Sequence, residues 1–476
     1  MSSLLSDLPT LRNGTEYLSS TKVPLKAING RFLTNISFSP ELHIQMAIPI
    51  NRGIGFRKLS KIPIDDLIDI YVEAGKIFSK EMEIGGQSTT LNNWIKLITL
   101  STGMPISVVR NAVEMIPAFF KKEQLERFLI ANSPTSEIEI YDKLVGVRGT
   151  TKFGFSPKGK NVGVALPGNH PAVALFGALI PLFKIPAIIR SSSSEPFTSY
   201  RICKALWEAG IPSEALFHFV TTHAEVDTLI TKSDLGIVFG SDWTIQMYGK
   251  NNQIKTYGPG RSKILIDAEK MSTYRMRQAL DIAYRSIIYD GGRGCINASS
   301  IVYNSDEGYD EFKHKLAKKL AKIEPYHPLE EEAQLPAMTK EGAKNLASYI
   351  RQRMKNTKDL TSEYRGYDDF LYLNGEFGYL LPILLELKED HKMRTDEYPF
   401  PFGTITRVNE YLPHELVQNT LALSVITDKK EKAREYLREP SIHKVFVNES
   451  SFLMDLAAPH EGFLSDFLYQ KKATNL

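Results

Sequence analysis

The feature that most constrains the fold is a regular alternation of short apolar runs and helix-like segments between residues 161 and 267. The strand-like runs are Val162–Leu166, Ala187–Arg190, Leu216–Val220, Leu235–Phe239 and Lys263–Ile266. The helix-like segments are Pro171–Phe183, Pro196–Ala209, Ala224–Thr231 and Asp242–Asn251. Short apolar strands joined by helices are typical of a parallel sheet covered on both faces. The alternation therefore predicts a doubly wound α/β domain of the nucleotide-binding type.

Composition excludes several classes of function. The chain has 476 residues, a length that predicts about three folding units. Of these residues 42% are hydrophobic and 24% charged, as is ordinary for a globular protein. Its 58 basic and 55 acidic residues give a net charge of +3, without the basic block of a nucleic-acid-binding protein. Two cysteines cannot form a disulfide framework, and the first residues show no signal-peptide pattern. We therefore expect a cytoplasmic protein with no nucleic-acid partner.

One apolar stretch, Pro171–Ile189, is long enough to cross a bilayer. It contains Lys184 and is divided by Pro181 and Pro186. This punctuation favours a buried helix followed by a buried strand over a membrane span.

The regions on either side of the alternating segment predict further units. Glu137–Tyr141 and Leu144–Phe155 alternate in polarity like an exposed antiparallel ribbon, an element through which subunits often associate. The predicted units are 1–137, strands and helices packed on the cofactor domain; 138–160, the ribbon; 161–267, the Rossmann-like core; 268–445, a second α/β domain; and 446–476, a C-terminal return segment. The ribbon predicts a homo-oligomer.

Cys295 is the strongest candidate for a reactive residue. It lies in the sequence Asp290-Gly-Gly-Arg-Gly-Cys-Ile-Asn-Ala-Ser-Ser300, ahead of a strand-like run at Ile301–Tyr303. Glycines at 291, 292 and 294 permit positive φ and a close approach of the backbone to a ligand. A thiol presented on such a turn suits a nucleophile, because the exposed thiolate is the reactive form. The alternative is an inert cysteine buried beside a turn.

The sequence contains no G-x-G-x-x-G fingerprint, so the usual dinucleotide-binding motif is absent. Phosphates also bind at helix N-termini, and Phe239-Gly-Ser-Asp242 opens the last helix-like segment of the alternating set. Gly240 permits close approach, and Ser241 offers a hydroxyl. The same residues could serve only to cap the helix.

Several short motifs follow one another in a fixed order. They are Leu166-Pro-Gly-Asn-His-Pro171, Ile189-Arg-Ser-Ser-Ser-Ser-Glu-Pro196, Phe239-Gly-Ser241, Tyr257-Gly-Pro-Gly-Arg-Ser262, the Cys295 turn, Glu397-Tyr-Pro-Phe-Pro-Phe-Gly403 and Val447-Asn448. This order resembles the aldehyde dehydrogenase superfamily and, within it, the LuxC-type long-chain acyl-CoA reductases. The resemblance covers residues 138–470 and is strongest from 161 to 300. It implies an aldehyde-dehydrogenase-like α/β fold in which the second domain is catalytic.

The resemblance implies roles for three residues around the reaction centre. Cys295 matches the family nucleophile, and Asn169 matches the amide that, with the backbone N–H of Cys295, forms an oxyanion hole. Tyr257 stands where ordinary aldehyde oxidisers carry a glutamate that activates water. A phenol with a pKa of about 10 cannot replace that base near neutral pH. Another carboxylate could substitute, the alignment could be shifted, or the chain could be inactive.

The resemblance also implies a cofactor site. Arg190 stands in place of the lysine that binds the adenosine ribose, and Gly240-Ser241 matches the helix start that contacts the pyrophosphate. Glu397 matches a glutamate that holds the nicotinamide ribose. Ser193 is neutral where NAD-selective relatives have a glutamate, which favours NADP over NAD. Glu195 could swing back and restore a preference for NAD.

Together these matches predict an NADPH-dependent reduction of long-chain acyl-CoA, or another acyl thioester, to a fatty aldehyde through an acyl-enzyme at Cys295. The alternatives are aldehyde oxidation, acyl-phosphate reduction, or a silent homologue that acts as an assembly partner. An acyl-protein synthetase is a further partner implied by the resemblance. The sequence nominates no metal ligand and does not identify the acid or base.

Overall fold

Two seven-stranded sheets dominate the protein. The computed structural model describes residues 4–305, 307–355, 357–408, 412, 414–452 and 455–476. One sheet lies in the alternating segment, the other in the region that follows it, and smaller two- and three-stranded sheets lie around them. This arrangement confirms the predicted α/β fold, a doubly wound domain followed by a second α/β domain.

The N-terminal region packs on the first sheet. Its elements are β1 (Asp7–Leu8), β2 (Thr10–Arg12), β3 (Thr15–Tyr17), β4 (Lys22–Lys26), β5 (Phe32–Ser37), α1 (Glu41–Ile50), α2 (Phe56–Leu59), α3 (Ile64–Ser79), β6 (Met82–Ile84), β7 (Gln87–Thr89), α4 (Leu91–Thr102), α5 (Ile106–Phe119) and α6 (Lys122–Asn132). Two buried side chains fix the packing: the Tyr71 hydroxyl donates to the Ala178 carbonyl at 2.5 Å, and Trp94 Nε1 donates to the Phe197 carbonyl at 3.2 Å. Helix α1, with Pro49 inside it, was not predicted.

The ribbon differs in part from the prediction. Residues 140–143 form a short helix, α7 (Ile140–Lys143), and the ribbon consists of β8 (Val145–Arg148) and β9 (Thr151–Pro157). Glu137–Tyr141 is therefore not a strand, because Ile140 and Tyr141 turn inward and are buried. The outer partner of β9 is instead the last strand of the chain.

The first large sheet contains five parallel strands. Its elements are β10 (Val162–Ala165), α8 (Ala174–Ala178), β11 (Ala187–Ser191), α9 (Phe197–Ala209), β12 (Leu216–Val220), α10 (Ala224–Lys232), β13 (Leu235–Phe239), α11 (Asp242–Tyr248) and β14 (Ile254–Tyr257). The order is β14-β13-β10-β11-β12, extended by the antiparallel strands β2 and β3. The direction of winding reverses between β10 and β13. Ligands of open α/β sheets bind at the carboxyl ends of strands at such a reversal.

The second sheet begins earlier than the predicted boundary after residue 267. Its elements are β15 (Ser262–Asp267), α12 (Thr273–Ile288), β16 (Ala298–Tyr303), α13 (Tyr309–Leu320), α14 (Lys340–Arg353), β17 (Lys358–Asp359), β18 (Leu371–Leu373), β19 (Gly378–Leu380), β20 (Ile383–Glu386), β21 (Phe402–Arg407), β22 (Thr420–Thr427), α15 (Ala433–Tyr436) and β23 (Ile442–Val447). The large sheet has the order β17-β20-β21-β16-β15-β22-β23, and β18 and β19 form a separate pair. Strand β15, assigned to the first domain from sequence, pairs with β16 and β22.

The C-terminal return segment closes the ribbon. Helix α16 (Leu464–Leu468) leads into β24 (Tyr469–Ala473), which pairs antiparallel with β9. The Tyr469 ring stacks on Phe155 with centroids 4.3 Å apart, and its hydroxyl donates to the Phe183 carbonyl at 2.5 Å. Aromatic burial therefore joins the end of the chain to the ribbon and the first domain.

The apolar stretch Pro171–Ile189 folds as predicted, into buried helical turns followed by a buried strand. Among the residues that the structure describes, no helix is both long and apolar enough to cross a bilayer.

Candidate active site

A cavity of about 500 Å³ lies between the two sheets. Its wall includes Asn169 and Gly240, which follow the carboxyl ends of β10 and β13 in the first sheet. From the other side it includes Cys295 and Glu397, which precede the amino ends of β16 and β21. The opposed sheet edges thus bring four residues predicted from sequence into one cavity.

Backbone geometry holds the loop that carries Cys295. Asp290, Gly291 and Gly292 adopt positive φ values of 48°, 68° and 75° in succession. A Cβ added at Gly292 would lie 2.5 Å from the backbone nitrogen of Pro401, so only glycine fits there. Gly294, also expected at positive φ, is not left-handed. Its backbone N–H donates to Asn297 Oδ1 at 2.8 Å instead.

Asn297 supports this loop and was not singled out from the sequence. Its buried Nδ2 donates to the carbonyl oxygens of Ser286 at 3.1 Å and Tyr289 at 2.7 Å, at the end of α12. Because Oδ1 also accepts from Gly294, one side chain connects the helix end to the loop that carries Cys295. The only local signal for this role in the sequence was an asparagine two residues after the cysteine.

The backbone of Cys295 is packed against the start of β15. Ser262 Oγ donates to the Cys295 carbonyl at 2.9 Å, and a Cβ added at Gly260 would lie 2.9 Å from Cys295 Cα. Burial, together with the nearby Glu397 carboxylate, raises the pKa of the Cys295 thiol to about 12, and the charge of Lys444 offsets part of this rise. The resting thiol is therefore protonated and needs a proton acceptor before it can attack.

Asn169 faces the loop that carries Cys295. Its Nδ2 donates to the Arg293 carbonyl at 3.4 Å, and its Oδ1 is buried without a partner in the described part of the chain. The Arg293 guanidinium, whose pKa is lowered to about 10 by burial, donates to the carbonyls of Thr102 at 2.7 Å and Gly168 at 3.4 Å. This arginine ties the Gly168–Asn169 turn to the loop of Cys295.

Tyr257 belongs to an aromatic wall. Its ring stacks on Phe239 with centroids 4.7 Å apart, and Phe176 meets both rings edge-on. The ring of His460 lies 5.7 Å from that of Tyr257. Burial raises the pKa of the Tyr257 hydroxyl above its ordinary value, so this phenol cannot act as a base near neutral pH.

A lysine and a histidine contact each other on the wall of this cavity. Lys444, in β23, and His460 both line the cavity, and Lys444 Nζ lies 3.3 Å from His460 Nδ1. Burial lowers the pKa of both groups, that of His460 to about 3. Lys444 was not singled out from the sequence, because no sequence motif marks it.

Two of the predicted cofactor residues lie on the cavity. Gly240 borders it, and a Cβ at this position would lie 2.6 Å from Thr244 Cβ. Glu397 Oε2 accepts from the backbone N–H of Arg261 at 2.7 Å, and burial raises the pKa of the Glu397 carboxyl. Arg261 Nη2 also donates to Asp242 Oδ2 at 2.6 Å, which connects the two domains beside the start of α11.

The remaining cofactor residues lie outside the cavity wall. Arg190, at the carboxyl end of β11, donates from Nη2 to the Thr221 carbonyl at 3.0 Å, while its buried Nε has no partner in the described chain. Ser193 is exposed, and Ser241 directly precedes α11.

Glu195 does not reach toward Arg190, contrary to the expectation that it could restore a preference for NAD. It is 4% exposed and accepts from the backbone N–H and hydroxyl of Thr198, both at 2.9 Å. The carboxyl is therefore used to cap the start of α9.

A model of a protein family, described as the aldehyde dehydrogenase family, matches residues 92–465. Solved structures with the same fold include 3,6-anhydro-L-galactose dehydrogenase in complex with NAP, at 14% identity and a TM-score of 0.77 over 98% of this chain and 99% of that one. They also include the aldehyde dehydrogenase KauB from Pseudomonas aeruginosa, at 17% identity and a TM-score of 0.75 over 98% and 96% of the two chains. PnpE in complex with nicotinamide adenine dinucleotide matches at 16% identity and a TM-score of 0.76 over 98% and 96%. No curated protein sequence matches the chain.

Proposed function

The chain belongs to the aldehyde dehydrogenase family of oxidoreductases, and we propose that it reduces an acyl thioester, acyl-CoA or acyl-protein, to a fatty aldehyde with NADPH. The observation that carries this proposal is the buried aromatic wall at Tyr257. By the motif match, the members of the family that oxidise aldehydes have a glutamate at this position. A wall without a water-activating group favours an acyl-enzyme that survives long enough to be reduced.

The apolar part of the cavity supports a long acyl chain as substrate. It extends from Cys295 between α5, α6, the helical turns after β10 and the loop before α16. Its apolar lining includes Met115, Phe128, Leu175, Leu179, Phe463 and Leu464. Each buried methylene of a substrate chain contributes about 0.8 kcal/mol of binding free energy. Chains that fill this part are therefore expected to be preferred over short ones.

The residues present fit a nicotinamide dinucleotide. Arg190 Nε and Ser191 Oγ are buried without partners in the described chain, at the carboxyl edge where such ligands bind. Gly240 and Ser241 would receive the pyrophosphate and Glu397 the nicotinamide ribose, while Arg190 and the neutral Ser193 favour NADP over NAD. The bound cofactor would supply the hydride.

The chain's own residues act on the thioester. The Cys295 thiolate attacks the acyl carbon, and CoA leaves as its thiol, which gives an acyl-enzyme. Asn169 Nδ2 and the backbone N–H of Cys295 donate to the oxygen on which negative charge develops. After reduction, the oxyanion of the thiohemiacetal collapses, the carbon–sulfur bond to Cys295 breaks, and the aldehyde is released.

Assembly and location are part of the same proposal. We expect subunits of a cytoplasmic homo-oligomer to associate through the ribbon, where Val147 is 56% exposed. An acyl-protein synthetase that delivers the acyl group is a further expected partner.

The direct test is intact-mass detection of an acyl adduct after mixing the full chain with acyl-CoAs of graded length. The adduct is expected on wild-type protein, to be absent from Cys295→Ala, and to persist in Cys203→Ala, because Cys203 is wholly buried in α9. Absence of any wild-type adduct, together with no turnover of aldehyde, would favour a silent assembly partner.

Aldehyde oxidation is the second candidate, and the position of Glu397 favours it. This carboxyl lines the same cavity as Cys295, and its raised pKa suits a base. Without NADPH, acyl-enzyme should be long-lived if thioester reduction is the function. If the wild type instead releases free fatty acid rapidly, and Glu397→Gln does not, Glu397 would be the residue that activates water.

A further inference from the structure

Lys444 is a cavity lysine without a carboxylate partner. It reaches the cavity from β23, and in the described part of the chain its Nζ forms no ion pair with an acidic side chain. The one polar contact that the described residues offer its Nζ is His460 Nδ1 at 3.3 Å, and His460 remains neutral because burial depresses its pKa to about 3. Burial of an ammonium ion beside a neutral imidazole is costly, so the pKa of Lys444 is lowered and its amine form becomes easier to reach.

The groups around Lys444 come from four elements. Cys295 lies on the nucleophile loop, Glu461 follows His460, His443 precedes Lys444 on β23, and Lys255 lies on β14. The charge of Lys444 and the Cys295 thiolate stabilise each other. The charge of Lys255 instead lowers the pKa values of His443, His460 and Glu461. The Lys255 ammonium donates to the Glu461 carbonyl at 2.8 Å and lies over the Tyr257 ring at 5.2 Å, outside the cavity wall.

We propose that Lys444 is a further catalytic residue, which accepts the proton of the Cys295 thiol during acylation and returns a proton to that sulfur when the aldehyde leaves. His460 is its positioning residue, since its Nδ1 lies 3.3 Å from Nζ and, in the tautomer with the proton on Nε2, accepts a hydrogen bond from either form of the amine. The inference rests on Cys295 as the nucleophile of the proposed function.

The proton balance closes over both half-reactions. As sulfur bonds to the acyl carbon, its proton passes to Lys444 Nζ and then to the CoA sulfur, which leaves as a thiol. Solvent reprotonates Lys444. When the carbon–sulfur bond of the thiohemiacetal breaks, the electron pair stays on Cys295 Sγ and Lys444 protonates it, with the NADPH hydride as the only reductant.

The first test measures the rate at which iodoacetamide alkylates Cys295 at pH 8.5, a reaction that needs neither acyl-CoA nor cofactor. Lys444→Met should slow this alkylation about tenfold or more, since loss of a nearby positive charge raises the pKa of the thiol. Lys255→Met is the matched control and should leave the alkylation rate unchanged. An unchanged rate in Lys444→Met would overturn the proposal, and a failure of acyl-CoA reduction alone would not move this readout.

The second test separates proton transfer from simple charge. Lys444→Arg keeps a positive charge that is not lost near neutral pH, so its alkylation rate at pH 8.5 should stay close to that of the wild type. Its rate of acylation by acyl-CoA at pH 7.5 should nevertheless fall about a hundredfold, the usual loss of a general base. A Lys444→Arg enzyme acylated at the wild-type rate would show that charge alone is needed. This comparison also decides the matter if Lys444→Met does not fold.

Discussion

The loop that carries Cys295 contains two adjacent glycines, and the alanine variant of one serves as the control for the alanine variant of the other. Gly291 and Gly292 both have positive φ, at 68° and 75°, so alanine at either should cost about 1–2 kcal/mol in backbone strain. They differ in their surroundings. A Cβ at Gly291 meets Pro336 Cδ at 3.2 Å, whereas one at Gly292 would lie 2.5 Å from the backbone nitrogen of Pro401.

The backbone at Pro401 has little room to move. Its carbonyl accepts from the Ile383 N–H at 3.3 Å, and Phe400 beside it is buried. Overpacking of this kind adds about 1–3 kcal/mol. We therefore expect Gly291→Ala to lose about 1–2 kcal/mol of unfolding free energy and Gly292→Ala about 2–5 kcal/mol, measured by urea denaturation.

Catalysis should separate the two variants further. If the loop relieves the overlap by shifting Cys295 about 1 Å, the rate of acyl-adduct formation should fall about a hundredfold in Gly292→Ala. Gly291→Ala should react within a few-fold of the wild type. Equal stability and equal acylation rates in the two variants would refute the argument that contact with Pro401 holds the loop in place.

Three further predictions concern other parts of the molecule. Asn169→Ala should slow Cys295 acylation about 100- to 1000-fold in single-turnover assays, and a variant with only weaker cofactor binding would contradict the oxyanion role. Arg190→Ala should weaken NADPH binding about tenfold or more while affecting NADH less, as measured by fluorescence titration; equal losses would remove the basis for NADP selectivity. Wholly buried His218 has a pKa lowered to about 3, so the unfolded chain takes up its proton first as the pH falls. The contribution of His218 to the unfolding free energy should therefore drop by about 1.4 kcal/mol per pH unit below about 6.5, and His218→Gln should remove this contribution in urea titrations at pH 7 and pH 5.

The first sheet was predictable because its strands are short, apolar and separated by helices. Four of its strands, β10 to β13, lie where the apolar runs placed them. The pattern could not show which sheet a strand joins, and so β15 was assigned to the wrong one. Strand β14 was missed because Ile254–Tyr257 contains Lys255 and Thr256 and does not read as an apolar run.

The site was predictable where residues sit in local motifs. Cys295, Asn169, Gly240 and Glu397 meet on one cavity because each adjoins a strand end facing the other sheet. The Lys444–His460 contact joins a strand to a distant loop, and nothing in either local sequence indicates it. Glu195 was misread for a related reason, since its partner is the backbone of the helix that it starts.

The pairing of β24 with β9 has a consequence for synthesis on the ribosome. The cavity wall includes residues as late as Leu464, and the strand that fixes this segment pairs with residues more than 300 positions earlier. A nascent chain can fold its first sheet while translation continues. It cannot enclose the Cys295 thiol until the segment that ends at residue 473 has emerged, so Cys295 stays accessible to solvent while that segment is being made.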